Sequence, residues 1–434
     1  MSDAGPWRPS GRGAAVAAQK EAEAKLRADK PKYLGERWRV FGIALSRMMI
    51  TIVTFGIARF WMTTRLRRHY WSSIEIGGAP LEYTGRASEK LIGFLIAVAI
   101  LAVYLVVVNL ALTFVGLSFF QGNPLALQLP LLALLPFIPW AQYRARRYIL
   151  ARTRWRGIRF GMDPGAWGYA GRWLLWWLAT IFTVGLLYPL MQLKLSRYAT
   201  ARSYYGDLPF EQRGQLGPLF RAWLWVWIAV PVVLVGVGAY GISLATGEVE
   251  ISETMPVWIT GVGTVAYLWI FIAGIRYQVF SFRYLNSHKV LAERTWFEFK
   301  LGVWAAIGIY FVGGIVIQFG VMLFALLSTG AAALILAGFG LDLSAFEGVM
   351  DGELPALGSV YAMILIFAAY LPAIAAWVAF SQAFITHPLL SEIAFSTRIH
   401  GLEHAGRARQ RDHDQQAEAG GFADALGADV GGAF

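Results

Sequence analysis

Positive charge and apolar sequence alternate along this chain, and that alternation constrains its fold more than any other feature. Apolar stretches occupy 40–62, 91–120, 125–143, 173–193, 222–246, 257–275, 301–327 and 359–385, and a shorter run at 331–339 reads as a surface helix. Most reach the ~20 helical residues that a bilayer core requires. Three connections, 121–124, 247–256 and 328–358, contain no lysine or arginine. Two of these are acidic, with Glu248, Glu250 and Glu253 in one and Asp342, Glu347, Asp351 and Glu353 in the other. Cytoplasmic flanks of membrane helices retain basic residues, so these three connections are expected to face outward and both termini inward. With 57% of residues hydrophobic and 15% charged, an ordinary soluble domain is excluded.

The first and fourth stretches break the alternation, because each has basic sequence on both sides. If both crossed fully, the basic segments 65–90 and 144–172 would lie on the disfavoured face. Arg47 and Arg59, inside the first stretch, would each cost up to ~2.5–3.5 kcal/mol at the bilayer centre, less any relief from snorkelling. The expected fold is therefore an all-α multi-pass membrane protein with six full transmembrane helices and two re-entrant or interfacial elements at 40–62 and 173–193. The expected division is a polar tail 1–38, membrane repeats 39–167 and 168–300, a helical pair 301–396 and a cytoplasmic tail 397–434. No short apolar stretch with a small-residue cleavage site marks a removable signal peptide.

Displacing the sequence by 129 positions superimposes the two anomalous stretches without a gap. Thr51, Ile52, Thr54 and Gly56 fall on Thr180, Ile181, Thr183 and Gly185, and the match continues through Arg68 on Arg197, Gly77 on Gly206, Pro80 on Pro209 and Glu82 on Glu211. A parallel internal repeat follows. Each copy carries a glycine turn, Gly77-Gly78 or Gly206-Asp207, between arms that alternate as strands do, so short cytoplasmic β-hairpins are expected. Pro80 and Pro209 should confine the second arms to sheet edges. Residues 152–160 alternate similarly, and Arg147-Tyr148 with Thr153 and Trp155 is weakly echoed by Arg283-Tyr284 with Thr295 and Trp296.

At Thr51-Ile-Val-Thr-Phe-Gly56, Arg65-Leu-Arg-Arg68, Tyr83-Thr-Gly85, Arg154-Trp-Arg-Gly-Ile-Arg-Phe160, Tyr188-Pro189, Leu195-Ser-Arg-Tyr198 and Tyr205-Gly206, with Pro209-Phe210, the chain resembles the YjgN family of multi-pass bacterial inner-membrane proteins. The terminal Gly421-Phe-Ala-Asp-Ala-Leu426 also looks like that family's tail. The resemblance runs from about residue 40 over nearly the whole chain, except for 330–358. It implies a bacterial inner-membrane location and supplies no activity or catalytic residues.

Chemistry-bearing motifs are sparse. No cysteine is present, which removes disulfides, thiolate metal sites and cysteine nucleophiles. His400-Gly-Leu-Glu-His404 matches a zinc-protease pattern, but without a supporting third ligand it reads as a solvated helix face before a flexible tail. Gly236-Val-Gly238-Ala-Tyr-Gly241 lies within an apolar span, where small residues let helices approach. His69, His288, His387 and His413 read as solvated, and no phosphate loop or nucleophile elbow occurs. Asn109 and Gln318 are the clearest deep polar residues, either bonding between helices or lining a polar path. Pro189, with Gly56 and Gly185, suits a broken helix or a turned hairpin.

The net charge of +11 concentrates its densest basic and aromatic mixture at Arg152, Arg154, Trp155, Arg156 and Arg159, with Arg68 and Arg197 in the repeat motifs. The positive-inside bias accounts for such a surface without nucleic acid, so anionic lipid headgroups are the expected partner and no cofactor is expected. The resulting expectation is a non-enzymatic protein handling anionic lipid or an amphipathic molecule. An uncoupled channel or carrier, or a membrane scaffold, is the alternative.

Overall fold

In the computed structural model, which describes residues 28–120, 134–245, 257–338 and 357–411, the glycine turns are the inner ends of a much larger sheet. β1 (Lys32–Tyr33) is followed by four hairpins: β2 (Ile74–Ile76) with β3 (Ala79–Tyr83), β4 (Thr153–Trp155) with β5 (Ile158–Met162), β6 (Ser203–Tyr205) with β7 (Leu208–Gln212), and β8 (Lys289–Leu291) with β9 (Thr295–Phe299). β10 (Thr397–His400) ends the series. Each strand pairs antiparallel with the next in chain order, giving one ten-stranded sheet. Just before β1, Asp29 exchanges both backbone hydrogen bonds with Ile399 of β10, at 3.0 and 2.9 Å, so the sheet's two ends meet.

Helices fill every second connection. α1 (Arg37–Val53) and α2 (Arg59–Ser72) join β1 to β2; α3 (Ala87–Phe120) and α4 (Phe137–Ala151) join β3 to β4; α5 (Ala166–Phe182) and α6 (Tyr188–Thr200) join β5 to β6. α7 (Leu216–Trp227), α8 (Ala229–Ala245) and α9 (Val257–Ser287) join β7 to β8. α10 (Val303–Gly338), α11 (Leu357–Ser381), a π-helical turn Gln382–Thr386 and α12 (His387–Ser396) lead from β9 to β10. In an antiparallel meander alternate connections fall on opposite rims. All helices therefore leave from one rim, and the four tight turns crowd the other.

Strands as far apart in order as β4 and β10 could not touch across a flat sheet with about 4.8 Å between neighbours. They do touch: Trp155, Tyr205, Leu291 and Ile399 form one buried cluster with Leu402, Ala405 and Ala408. The sheet is therefore curled, and its concave face is filled by the segment that follows β10, including α13 (Leu402–Ala405). That segment also reaches the tight turns. Thr295 Oγ1 donates to the Gly401 carbonyl at 2.8 Å, the Arg409 N–H to Asp207 Oδ1 at 2.8 Å, and the Arg159 N–H to Gln410 Oε1 at 2.9 Å. What reads in sequence as a flexible tail is, as far as residue 411, part of the core. His413 and 421–426 lie outside the described residues.

The all-α expectation is overturned by this sheet. Single hairpins expose unpaired N–H and C=O groups on both edges, and here each edge is satisfied by a hairpin distant in sequence. Pro80 and Pro209 consequently sit in internal strands. They are tolerated because each lies at the turn-proximal end, before the pairing with the next hairpin begins at Leu81 and Phe210. Five helical segments among the described residues, not six, are long and apolar enough to cross a membrane: Ala87–Val108, Leu216–Gly236, Gly263–Ser287, Val303–Ile335 and Phe367–Ser396. The expected span 125–143 begins outside the described residues, and the helix there starts at Phe137 and soon meets Arg144, Arg146 and Arg147. The run 331–339 is no separate surface helix, because α10 continues through it to Gly338. Close helix approach falls on Gly313, where a Cβ would lie 2.7 Å from the Phe384 carbonyl oxygen; Gly236 and Gly238 have no such neighbour.

The stretches 40–62 and 173–193 both turn back. In the first, Phe55 and Gly56 adopt φ of 48° and 91°; in the second, Val184 and Gly185 adopt 49° and 85°. Thr54 Oγ1 donates to the Ile50 carbonyl at 2.7 Å and accepts from the Ala58 N–H at 3.0 Å, and Thr183 does the same with Ala179 and Leu187 at 2.8 and 3.3 Å. Pro189 then sits in the first turn of α6, where a missing N–H costs nothing. At the apex Phe55 is 97% exposed, an apolar tip without protein cover. A Cβ at Gly56 or Gly185 would meet nothing within 4 Å, so only backbone strain opposes one. Gly56→Ala and Gly185→Ala should each cost about 1–2 kcal/mol. Gly42→Ala, within α1, should be neutral or stabilising. Thermal melts of the solubilised protein that ranked all three variants alike would contradict this account of the turns.

Candidate functional site

The sequence-predicted basic patch does not form one surface. Along β4 successive side chains point to opposite faces of the sheet. Trp155 turns into the core, where its Nε1 donates to the Ile76 carbonyl at 3.1 Å. Arg154 shares the other face with its register partners Glu82 and Arg159. Arg152 is buried beside α3, with Nη2 2.8 Å from Glu89 Oε2 and its guanidinium 5.2 Å from the Tyr148 ring centroid. Arg156, in the tight turn at φ 50°, donates to the Gly77 carbonyl at 2.6 Å and braces the neighbouring turn. Trp155 and Arg156 thus tie this hairpin to the one before it, and Arg152 ties it to α3.

Arg68 and Arg197 make matching contacts. Arg68 Nη2 donates to the Gly85 carbonyl at 3.0 Å, and Arg197 Nη2 to the Gly214 carbonyl at 2.5 Å, each tying a helix to the chain leaving the next hairpin. Gly77 and Gly206 provide the positive φ of the tight turns, and Asp207 anchors Arg409. Gln318 lies exposed on α10. Asn109 lies on α3, its side chain outside the described ones.

A different basic cluster surrounds two adjoining cavities beside α2. The larger, about 640 Å³, lies between α1, α2 and β3 and is lined by Arg39, Arg65, Arg68 and His69, with Glu82 and Tyr83. The smaller, about 330 Å³, is lined by Arg65, Arg68 and Arg86 together with Trp61, Thr64 and the opening residues of α3. All four arginines are exposed, and among the described residues none of them forms an ion pair. Burial, and then the charge of Arg39, hold the His69 imidazole below the usual histidine range. Near neutral pH the positive charge here is thus arginine charge, which does not titrate.

Beneath this cluster the packing is aromatic and tight. Arg67 Nη1 donates to the Tyr83 hydroxyl at 3.1 Å, and buried Lys90 lies 5.4 and 5.8 Å from the Tyr83 and Tyr148 ring centroids. That layer gives the exposed arginines a stiff base.

The family model for a bacterial protein of unknown function, DUF898, matches residues 30–321. The chain belongs to this family. The YjgN resemblance is consistent with it, and no curated protein or solved structure matches. The DUF898 match takes in β1 through most of α10, including every residue lining the two cavities. β10 and the segment that fills the concave face lie beyond it.

Elsewhere in this DUF898 chain, His400 on β10 stacks on Trp296 with rings 7° from parallel, and its Nε2 lies 3.6 Å from Glu298 Oε2, while His404 sits on α13. Among the described residues no group of three or more His, Asp or Glu could hold a metal ion. Sequence reasoning placed Arg68 among the candidate contacts and Arg65 in a motif beside it, took His69 as merely solvated, and passed over Arg39 and Arg86. Arg39 and Arg86 stand far from Arg65 in sequence, and no spacing rule joins the turn after β3 to the start of α1.

Proposed function

We propose that this protein is a bacterial inner-membrane protein with cytoplasmic termini and an internally repeated fold, which binds anionic lipid or another anionic amphiphile without catalysing a reaction on it. One observation carries this reading: exposed arginines, none of them ion-paired among the described residues, surround two cavities at the rim from which the apolar helices depart. A membrane surface lies at that rim when the five apolar helical segments are in the bilayer. Trp61 lines the smaller cavity and is 44% exposed, a position that suits the headgroup level. The lysine- and arginine-free connections support the cytoplasmic assignment of the sheet.

Each basic residue near an anionic surface contributes about 1 kcal/mol. Replacing Arg39 and Arg65 together with glutamine should therefore weaken retention of phosphatidylglycerol by roughly 30-fold. Phosphatidylcholine retention should not change, and Arg213→Gln, an exposed arginine paired with Glu211, should behave as wild type. Native mass spectrometry of the full chain reads all three. Equal phosphatidylglycerol retention by wild type and the double variant would end this reading.

A further inference from the structure

We propose that the two cavities form one site for a lipid whose headgroup carries two phosphoryl groups. The inference rests on the anionic-lipid reading above and narrows it. Arg65 and Arg68 line both cavities, while Arg39 belongs only to the larger and Arg86 only to the smaller. Each cavity thus offers three guanidinium groups, two of them common to both. Guanidinium forks match phosphate oxygens two at a time, so a shared pair between two private arginines is a bridge between two phosphates.

Charge leads the same way. Four arginines face one lining carboxylate, Glu82, and a single phosphodiester would leave most of that positive charge unanswered. A second phosphoryl group answers it. The smaller cavity also touches Ala87 and Ser88 at the start of the 34-residue α3, where unpaired first-turn N–H groups favour an anion.

The chain contains its own comparison. Shifted by 129 residues, Arg65 and Arg68 correspond to Lys194 and Arg197, so the shared pair keeps its charge at the second helical hairpin. Arg39 and Arg86 correspond to Gly168 and Gln215, so both private charges are absent there. The double site thus belongs to the first hairpin alone, at one lipid per chain.

The test uses the delipidated full chain, titrated separately with cardiolipin, phosphatidylglycerol, farnesyl diphosphate and phosphatidylcholine and read by native mass spectrometry. Cardiolipin, farnesyl diphosphate or both should bind at least about tenfold tighter than phosphatidylglycerol. Arg39→Gln and Arg86→Gln should each abolish that preference, bringing the doubly phosphorylated probes down to the phosphatidylglycerol level, while weakening phosphatidylglycerol binding itself by no more than about fivefold. Lys194→Gln should leave the preference intact. Preference for cardiolipin alone supports the proposal with two spaced phosphodiesters, and preference for farnesyl diphosphate alone supports it with a diphosphate. If the wild-type chain binds phosphatidylglycerol as tightly as both doubly phosphorylated probes, the two-phosphate site is overturned while anionic-lipid binding stands. If no anionic probe binds better than phosphatidylcholine, the broader reading falls as well. Both private arginines are exposed, and wild-type selectivity alone can overturn the proposal even if a variant misfolds.

Discussion

Leu402→Glu should open the curled sheet and leave the sheet unfolded under conditions where the wild-type chain is stable. Leu402 is 6% exposed and packs with Trp155, Tyr205, Leu291 and Ile399, which come from four strands that do not pair with one another. Removing a buried leucine side chain costs about 2–5 kcal/mol, and an unpaired carboxylate in its place adds several more. A typical domain has only ~5–15 kcal/mol in hand. Leu402→Ala should lie between, folded but less stable. Trp155 is buried in the same cluster, so tryptophan emission should shift to the red as the sheet opens. A Leu402→Glu chain that melts as wild type would show that the segment after β10 does not fill the concave face.

Arg152→Gln should lower stability by about 2–3 kcal/mol and leave lipid retention unchanged. The Arg152 side chain is 7% exposed and Glu89 is 32% exposed, and Glu89 also accepts from the Tyr148 hydroxyl at 3.3 Å. Breaking a fully buried pair costs about 3–5 kcal/mol, and solvent reaching Glu89 reduces that figure. Adding Glu89→Gln should restore part of the loss, because the stranded carboxylate is then neutral. Chemical or thermal unfolding measures the first effect, and native mass spectrometry the second. Loss of phosphatidylglycerol retention at unchanged stability would return Arg152 to the headgroup role that its sequence neighbourhood suggests.

The places where two apolar stretches turn back could be read from residue order alone. Basic sequence on both sides of 40–62 and 173–193 argued against full crossings, and both stretches turn back at Phe55-Gly56 and Val184-Gly185. The turns at Gly77-Gly78 and Gly206-Asp207 were equally legible, because positive φ selects glycine. The sheet was not. Trp155 and Arg156 do stack, with the guanidinium 4.6 Å from the ring centroid, but Trp155 is buried in the core and Arg156 braces the turn beside it.

The candidate site shows the same division. Arg65 and Arg68 lie together on α2 and were visible as a motif; Arg39 and Arg86 join them only because α1 folds back on α2 and β3 returns to the same rim. Residue order by itself determined which segments are apolar, where along the chain positive charge gathers and where the chain must turn, since hydropathy, charge and φ preference act locally. Only the tertiary structure decided that separate hairpins share one sheet, that the segment after β10 fills it, and that distant arginines surround common cavities. Edge hydrogen bonds and close packing are satisfied between partners that no local rule specifies.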